Sequence, residues 1–158
     1  MNYWVCRAGM KNSQLKYFLD NNVVSCPWQD FNMSWTGKTK EDLKNEISRV
    51  KSLTNKTSIS NLCAQIQVFT EKMDVNDIVI LPDTKRKCFY LGKIVSEYIF
   101  ERNEIEERQH YRRVIWQKKP IENSCFTQDF RYTLGAFRTI FQIKKSEHIA
   151  QVIKYWEG

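Results

Sequence analysis

Residues 85–119 gather the side chains best suited to a charged, planar partner. The stretch opens KRKCFYLGKIVSEYIF and closes HYRRVIWQKK, with an acidic link between. Phe89, Tyr90, Tyr98, Phe100, Tyr111 and Trp116 lie there among Lys85, Arg86, Lys87, Lys93, Arg112, Arg113, Lys118 and Lys119. Cations attract phosphate and aromatic faces stack on bases, so nucleic acid is the first partner to consider. Trp28 and Trp35 add aromatic surface upstream, each beside a polar loop. Loops mounted on a rigid sheet are where binding residues gather.

Catalytic patterns are poor by comparison. The chain has no G-x-S-x-G, no phosphate-cradling glycine loop and no H-E-x-x-H. Asp83-Thr84-Lys85 is a D-x-K triplet with Asp77 upstream, an arrangement that a metal nuclease can use. In so charged a chain one such triplet is expected by chance. His110 lies in a charged stretch with no evident partner for general-base work. The five cysteines (Cys6, Cys26, Cys63, Cys88, Cys125) form no C-x-x-C, and His110 and His148 are the only histidines. A zinc site is therefore not expected. The reading is non-enzymatic, with no catalytic residue, no metal and no cofactor.

These side chains need elements to hold them. YWVCR (residues 3–7) reads as a first strand, rich in β-formers. Ser13 is placed to cap a short helix carrying Leu15, Phe18 and Leu19 on one face. VVSCPW (23–28) reads as a second strand ending near Pro27, which cannot donate within a ladder. Thr39 opens a helix with Asp42 where a capping box wants an acid, and Leu43, Ile47 and Val50 follow at helical spacing. A second helix is expected over about 59–72, with Ile59, Leu62, Cys63, Ile66 and Phe69 inward. From Asp77 the period changes to two, and DIVILP, KCFYLGKIV, EYIF and YRRVIW read as successive strands. ERNEIEERQ (101–109) reads as a mobile charged loop. A turn near 127–133 precedes a last strand, AFRTIFQI, and SEHIAQVIKYW closes as a helix with Ile149, Val152, Ile153 and Trp156 apolar. Tyr3 and Trp4 point to opposite faces, so at least one is core. Trp116 is expected in the core. The order predicts one α+β domain over residues 1–158, a small curled sheet or β-barrel flanked by helices.

Composition is consistent with that. A length of 158 residues suits one domain, and a 42% hydrophobic content can build a core. Aromatics reach 13%, more than a core of this size obviously needs. A net charge of +7 favours phosphate-rich partners but says nothing about fold. No apolar run reaches the roughly 20 residues a membrane helix needs, and the first residues lack a signal-peptide pattern. With cysteines scattered through apolar strands, the expected compartment is a reducing cytoplasm.

YWVCRAG, FLDNNVVSCPW, DVNDIVILP, YLGKIVSEY and HYRRVIW occur in that order. Together they resemble the N-terminal PUA-like domains of Mrr- and McrB-type modification-dependent restriction proteins, which belong with the EVE and YTH folds. The resemblance spans roughly residues 3–143. It implies a β-barrel with flanking helices, and a reader that flips a modified base into a cage of aromatic side chains. The family's Gly-Trp at the end of the second strand is Pro27-Trp28 here, and its Gly-Asp before the central strand is Asn76-Asp77.

The resemblance makes Trp28 the leading cage residue, with Tyr98, Trp35 and Phe100 beside it. Trp28 either stacks on the base or plugs one end of the barrel. Tyr98 and Phe100 alternate on a short strand and so share a face, lining the cage or packing on the final helix. Trp35, in a polar loop, is expected to be exposed unless it packs over the 39–52 helix. Arg7, Lys11, Lys38, Lys85, Arg86, Lys87, Arg112 and Arg113 are the candidate phosphate contacts. Arg112 and Arg113 are adjacent on a strand, so only one faces outward. The expected function is a non-catalytic module that recognises a modified base in DNA, a cytosine or adenine derivative, as the targeting part of a restriction or phage-defence system. A nuclease or motor domain would lie in the same chain or a partner. The alternatives are an RNA reader of the YTH or PUA kind and a small metal-dependent nuclease using Asp77, Asp83 and Lys85.

Overall fold

A computed structural model describes residues 1–52, 54–136 and 138–157. The strands are β1 (Tyr3–Cys6), β2 (Val23–Ser25), β3 (Ile78–Asp83), β4 (Cys88–Ile94), β5 (Ile99–Phe100), β6 (His110–Trp116), β7 (Ile121–Glu122) and β8 (Ile140–Ile143). The helices are α1 (Leu15–Asn21), α2 (Lys40–Lys51), α3 (Lys56–Gln67), α4 (Gln128–Leu134) and α5 (Ser146–Tyr155). Side-chain caps set several helix starts. Thr39 Oγ1 accepts from Asp42 N–H and the Asp42 carboxylate accepts from Thr39 N–H, which is the capping box read from the sequence. Asn55 accepts from the N–H groups of Thr57 and Ser58, so α3 starts at Lys56, earlier than expected. Thr127 caps α4, which makes a helix of the segment expected to be only a turn. Ser13 does not cap α1, whose N-cap is Gln14 without a side-chain bond.

The sheet runs β2-β6-β4-β3-β1-β8, with β5 also on β6 and β7 also on β4. β1 lies parallel to β3, and the other pairings are antiparallel. β6 changes partners along its length. Its first half pairs with both β2 (Ser25 with Tyr111) and β5 (Ile99 with Tyr111), and its second half pairs with β4 (Ile94 with Val114). A strand shared in this way bends the sheet onto itself. The result is an α+β fold built on a strongly curled half-barrel flanked by helices.

Both faces of the central strands are buried, because successive residues point to opposite sides. Trp4, Val79, Leu81, Tyr90, Ile94 and Val114 fill the inside of the curl with Phe18, Leu43, Ile47, Ile66 and Phe69 of the helical segments. Tyr3, Val5, Ile78, Ile80, Phe89 and Leu91 form a second core beneath Phe126, Phe130, Leu134 and Val152. Tyr3 and Trp4 are thus both core residues. On α5 His148 and Val152 are buried, and Ile149 and the following Trp156 pack on the second core as the apolar face read from the sequence requires, while Ile153 is 55% exposed. The last strand is shorter than the expected 136–143 stretch, which includes Phe137 outside the described residues. Cys26 N–H still donates to His110 O beyond the end of β2, although the strand stops before Pro27.

Two local conformations depart from regular structure. Asn76 takes φ 78°, the left-handed region that a glycine fills easily and an asparagine tolerates. After α3 the chain widens into a π turn over Val68–Lys72. Such turns free backbone groups from the regular ladder and recur at functional sites. No helix among the described residues is long and apolar enough to cross a membrane.

Candidate functional site

The curled end of β6 brings Trp28, Trp35, Tyr98 and Phe100 together around His110. Trp35 stacks on the imidazole at 3.6 Å between centroids and 12° between planes. Phe100 lies 4.9 Å from the same ring, and Trp28 lies 6.4 Å from Trp35. His110, Arg112 and Val114 alternate along β6 and are all buried. That period of two was the signal in the sequence that could have placed His110 inside.

A chain of hydrogen bonds runs through the cluster. Trp35 N–H donates to Tyr98 Oη (3.1 Å), and Tyr98 Oη lies 2.7 Å from His110 Nδ1. His110 Nε2 lies 2.7 Å from Phe31 O, which can only accept. Nε2 therefore carries the proton, and Nδ1 accepts from the tyrosine. Burial lowers the His110 pKa to about 4, against a raising effect from the Phe31 carbonyl. Burial raises the Tyr98 pKa to about 12, so the phenol stays a donor.

Trp35 is only 2% exposed, so the expected exposed tryptophan is instead a wall with one face on His110. Its Nε1 is buried and has no hydrogen-bond partner. Trp35 and Tyr98 border a cavity of about 310 Å³ whose other walls include Thr70, Asp74, Glu97 and Arg112. That volume falls at the lower end of small-ligand pockets. Trp28 is half-buried and borders a separate hollow of about 530 Å³ with Arg7, Met10 and Lys51. The aromatic residues thus assemble, but Trp28 borders a different hollow from Trp35 and Tyr98, and Phe100 borders neither, so they do not form one cage.

The cations divide into struts and free ends. Arg112 is 3% exposed and donates to Phe69 O (2.7 Å), Ser96 O (3.1 Å) and Thr70 O (3.3 Å). It pins the π turn to the β4–β5 link and so holds two walls of the smaller cavity. A phosphate contact is not open to it, which corrects the reading from sequence; its neighbour Arg113 faces outward over Tyr111. Arg7 is likewise a bracket, donating to Leu134 O, Ala136 O and Arg138 O. Lys38 is engaged by the buried carboxylate of Glu46. Lys11, Lys85, Arg86 and Lys87 are exposed. The 101–109 stretch is anchored rather than loose. Glu107 accepts from Gln14 and Gln29, Glu106 accepts from Asp30 N–H, and the Arg108 guanidinium sits 3.9 Å over Tyr17.

The acids of the nuclease alternative do not converge. Asp77 and Asp83 flank opposite ends of β3, about 20 Å apart at ordinary strand rise. Asp77 is saturated by Asn2 N–H, Trp4 Nε1–H and Asp74 N–H. Among the described residues no group of three His, Cys, Asp or Glu side chains could hold a metal.

Fold and site together define a curled-sheet α+β module with a buried aromatic cluster at one end of the curl. The chain belongs to the family described as Domain of unknown function (DUF8426), whose model matches residues 4–144. No curated protein matches it. It is similar to the solved structure of Rpa0253 from Rhodopseudomonas palustris, with 11% identity, 98% of this chain and 92% of that chain covered, and a TM-score of 0.44. Atu2648 from Agrobacterium tumefaciens is similar at 11% identity over the same shares, with a TM-score of 0.41.

Proposed function

We propose that this chain is a PUA-like, EVE/YTH-related module that reads a modified base in DNA, without cutting it, for a restriction or phage-defence system in the cytoplasm. The observation that carries the reading is the cavity bordered by Trp35, Tyr98 and three carboxylates. A base taken from the stack needs an aromatic face and hydrogen bonds to its edge. Tyr98 supplies aromatic surface at the cavity, with Trp35 packed behind it on His110. Glu71, Asp74 and Glu97 border the cavity, and carboxylates accept from exocyclic amino groups. That chemistry favours cytosine or adenine derivatives over thymine.

The test is a binding panel of matched oligonucleotides, DNA and RNA, each unmodified or carrying one modified cytosine or adenine. The expected result is tighter binding of one modified DNA, with the preference weakened in Glu97→Gln, which keeps the side chain's size but removes a carboxylate acceptor at the cavity. Equal affinity for modified and unmodified strands would sink the reading, and preference for a modified RNA would move it to the RNA class.

A further inference from the structure

The cations that the sequence singled out are partly spent as struts, yet a separate basic surface lies along β8, the edge strand of the sheet. Two hollows adjoin there. One, of about 790 Å³, is bordered by Lys72, Arg138, Lys144 and Lys145. The other, of about 480 Å³, is bordered by Arg7, Arg131 and Arg138. Arg138 belongs to both, and no Asp or Glu lines either. Arg7 and Thr139 then continue into the hollow that holds Trp28. The cations thus form one path that ends beside the aromatic cluster.

Electrostatics and preorganisation set this path apart from an ordinary solvated face. The guanidinium groups of Arg131 and Arg138 have no partner among the described residues, whereas Lys145 is engaged by Asp129. Arg7 grips the loop through Leu134 O, Ala136 O and Arg138 O, fixing the backbone from which Arg138 projects. Burial lowers the pKa of Arg7, and an arginine guanidinium keeps its charge in proteins. A concave row of cations, with Glu107 only at its far end and Asp129 beside Lys145, lowers the cost of gathering successive phosphates.

We infer that the backbone of the bound nucleic acid runs along the β8 edge, with Arg131 and Arg138 as phosphate contacts and Arg7 as the residue that positions Arg138. This rests on the nucleic-acid reading above and replaces Arg7 and Arg112 as direct contacts. Phosphate contacts of this kind set register and carry no sequence information.

The experiment compares R131E/R138E with K118E/K119E, an equal change of charge on exposed lysines away from these hollows. Binding of the unmodified and modified oligonucleotides is measured from 50 to 200 mM salt, beside melting temperature. R131E/R138E should lose at least about tenfold in affinity for both strands and lower the salt slope by about 2, one per phosphate contact. The ratio between modified and unmodified strands should stay as in wild type. R131Q/R138Q should show a smaller loss of the same kind, and its unchanged melting temperature would separate lost contact from lost fold. Equal losses in both double variants, or none in R131E/R138E, would overturn the track while leaving the base reading intact. A track-dependent affinity with no preference for any modified base would keep the track and overturn the base reading. No binding of any oligonucleotide by the wild-type chain, or binding only to anionic vesicles, would overturn both.

Discussion

His110 carries the most information of any single side chain. It is fully buried, stacked on Trp35 and held at both nitrogens. Its pKa of about 4 in the fold lies below the ordinary 6.5 of an unfolded chain. The unfolded state therefore binds more protons between those values, and stability falls as pH drops from 6.5 toward 4. The loss reaches about 3 kcal/mol at pH 4 and is complete only below the folded pKa. Urea unfolding at pH 7, 6 and 5 should show this slope in wild type and a flatter one in His110→Phe, the variant being less stable throughout. The tryptophans differ in kind. Trp35→Ala empties a buried site and should cost about 3–5 kcal/mol, so all binding falls together. Trp28→Ala removes a half-buried ring and should cost about 1–3 kcal/mol of affinity for modified DNA, with little loss for unmodified DNA. A Trp28→Ala chain that melts lower yet discriminates as wild type would remove Trp28 from the recognition surface.

Among the elements, β4 and β6 approach closely because residue 92 has no side chain. A Cβ on Gly92 would lie 2.5 Å from Val114 Cγ1 and 2.6 Å from Trp116 Cε3. Trp116 cannot simply swing away, since its Nε1 donates to Phe18 O at 2.9 Å. Gly92→Ala should therefore destabilise by about 1–3 kcal/mol, read as a lower urea midpoint with an unchanged m-value. The π turn depends on a different device. Arg112 satisfies Phe69 O, Thr70 O and Ser96 O at once through a planar fork. Lysine presents a single ammonium and cannot reproduce that geometry. Arg112→Lys should speed amide exchange in residues 68–74 and 96–98 while β1 and β3 remain protected. Uniform protection in the variant would show that the turn holds without its strut.

Across the whole molecule, charge and topology matter more than any contact. A net charge of +7 on a chain with a cation-lined β8 edge should make nucleic-acid affinity fall by decades between about 50 and 200 mM salt. Salt-insensitive binding would contradict that. Arg86→Glu, on the exposed β3–β4 turn, should weaken all sequences about equally. Because Asp77 and Asp83 sit at opposite ends of β3, incubation of modified plasmid with the isolated chain and Mg²⁺ should leave it uncut. Cleavage abolished by Asp83→Ala would assign the chain to the nucleases.

Local physics made much of this legible from residues alone. The capping box at Thr39 and Asp42, the change of period at Asp77 and the strand over residues 110–116 follow from bonds and spacings within a few positions. So does the prediction that only one of Arg112 and Arg113 faces outward. Which arginine turns inward was not legible, because that depends on Phe69, Thr70 and Ser96, residues far apart in the chain. The same applies to Arg7, whose acceptors lie more than a hundred residues away. Trp35 read as exposed because its neighbours are polar, but His110 and Phe31 cover it only once β6 has curled over the loop. Residue types and short spacings thus determined the elements and the aromatic and basic inventory. Tertiary structure alone decided which cations are struts and which are free, since a buried guanidinium must find acceptors wherever the fold supplies them.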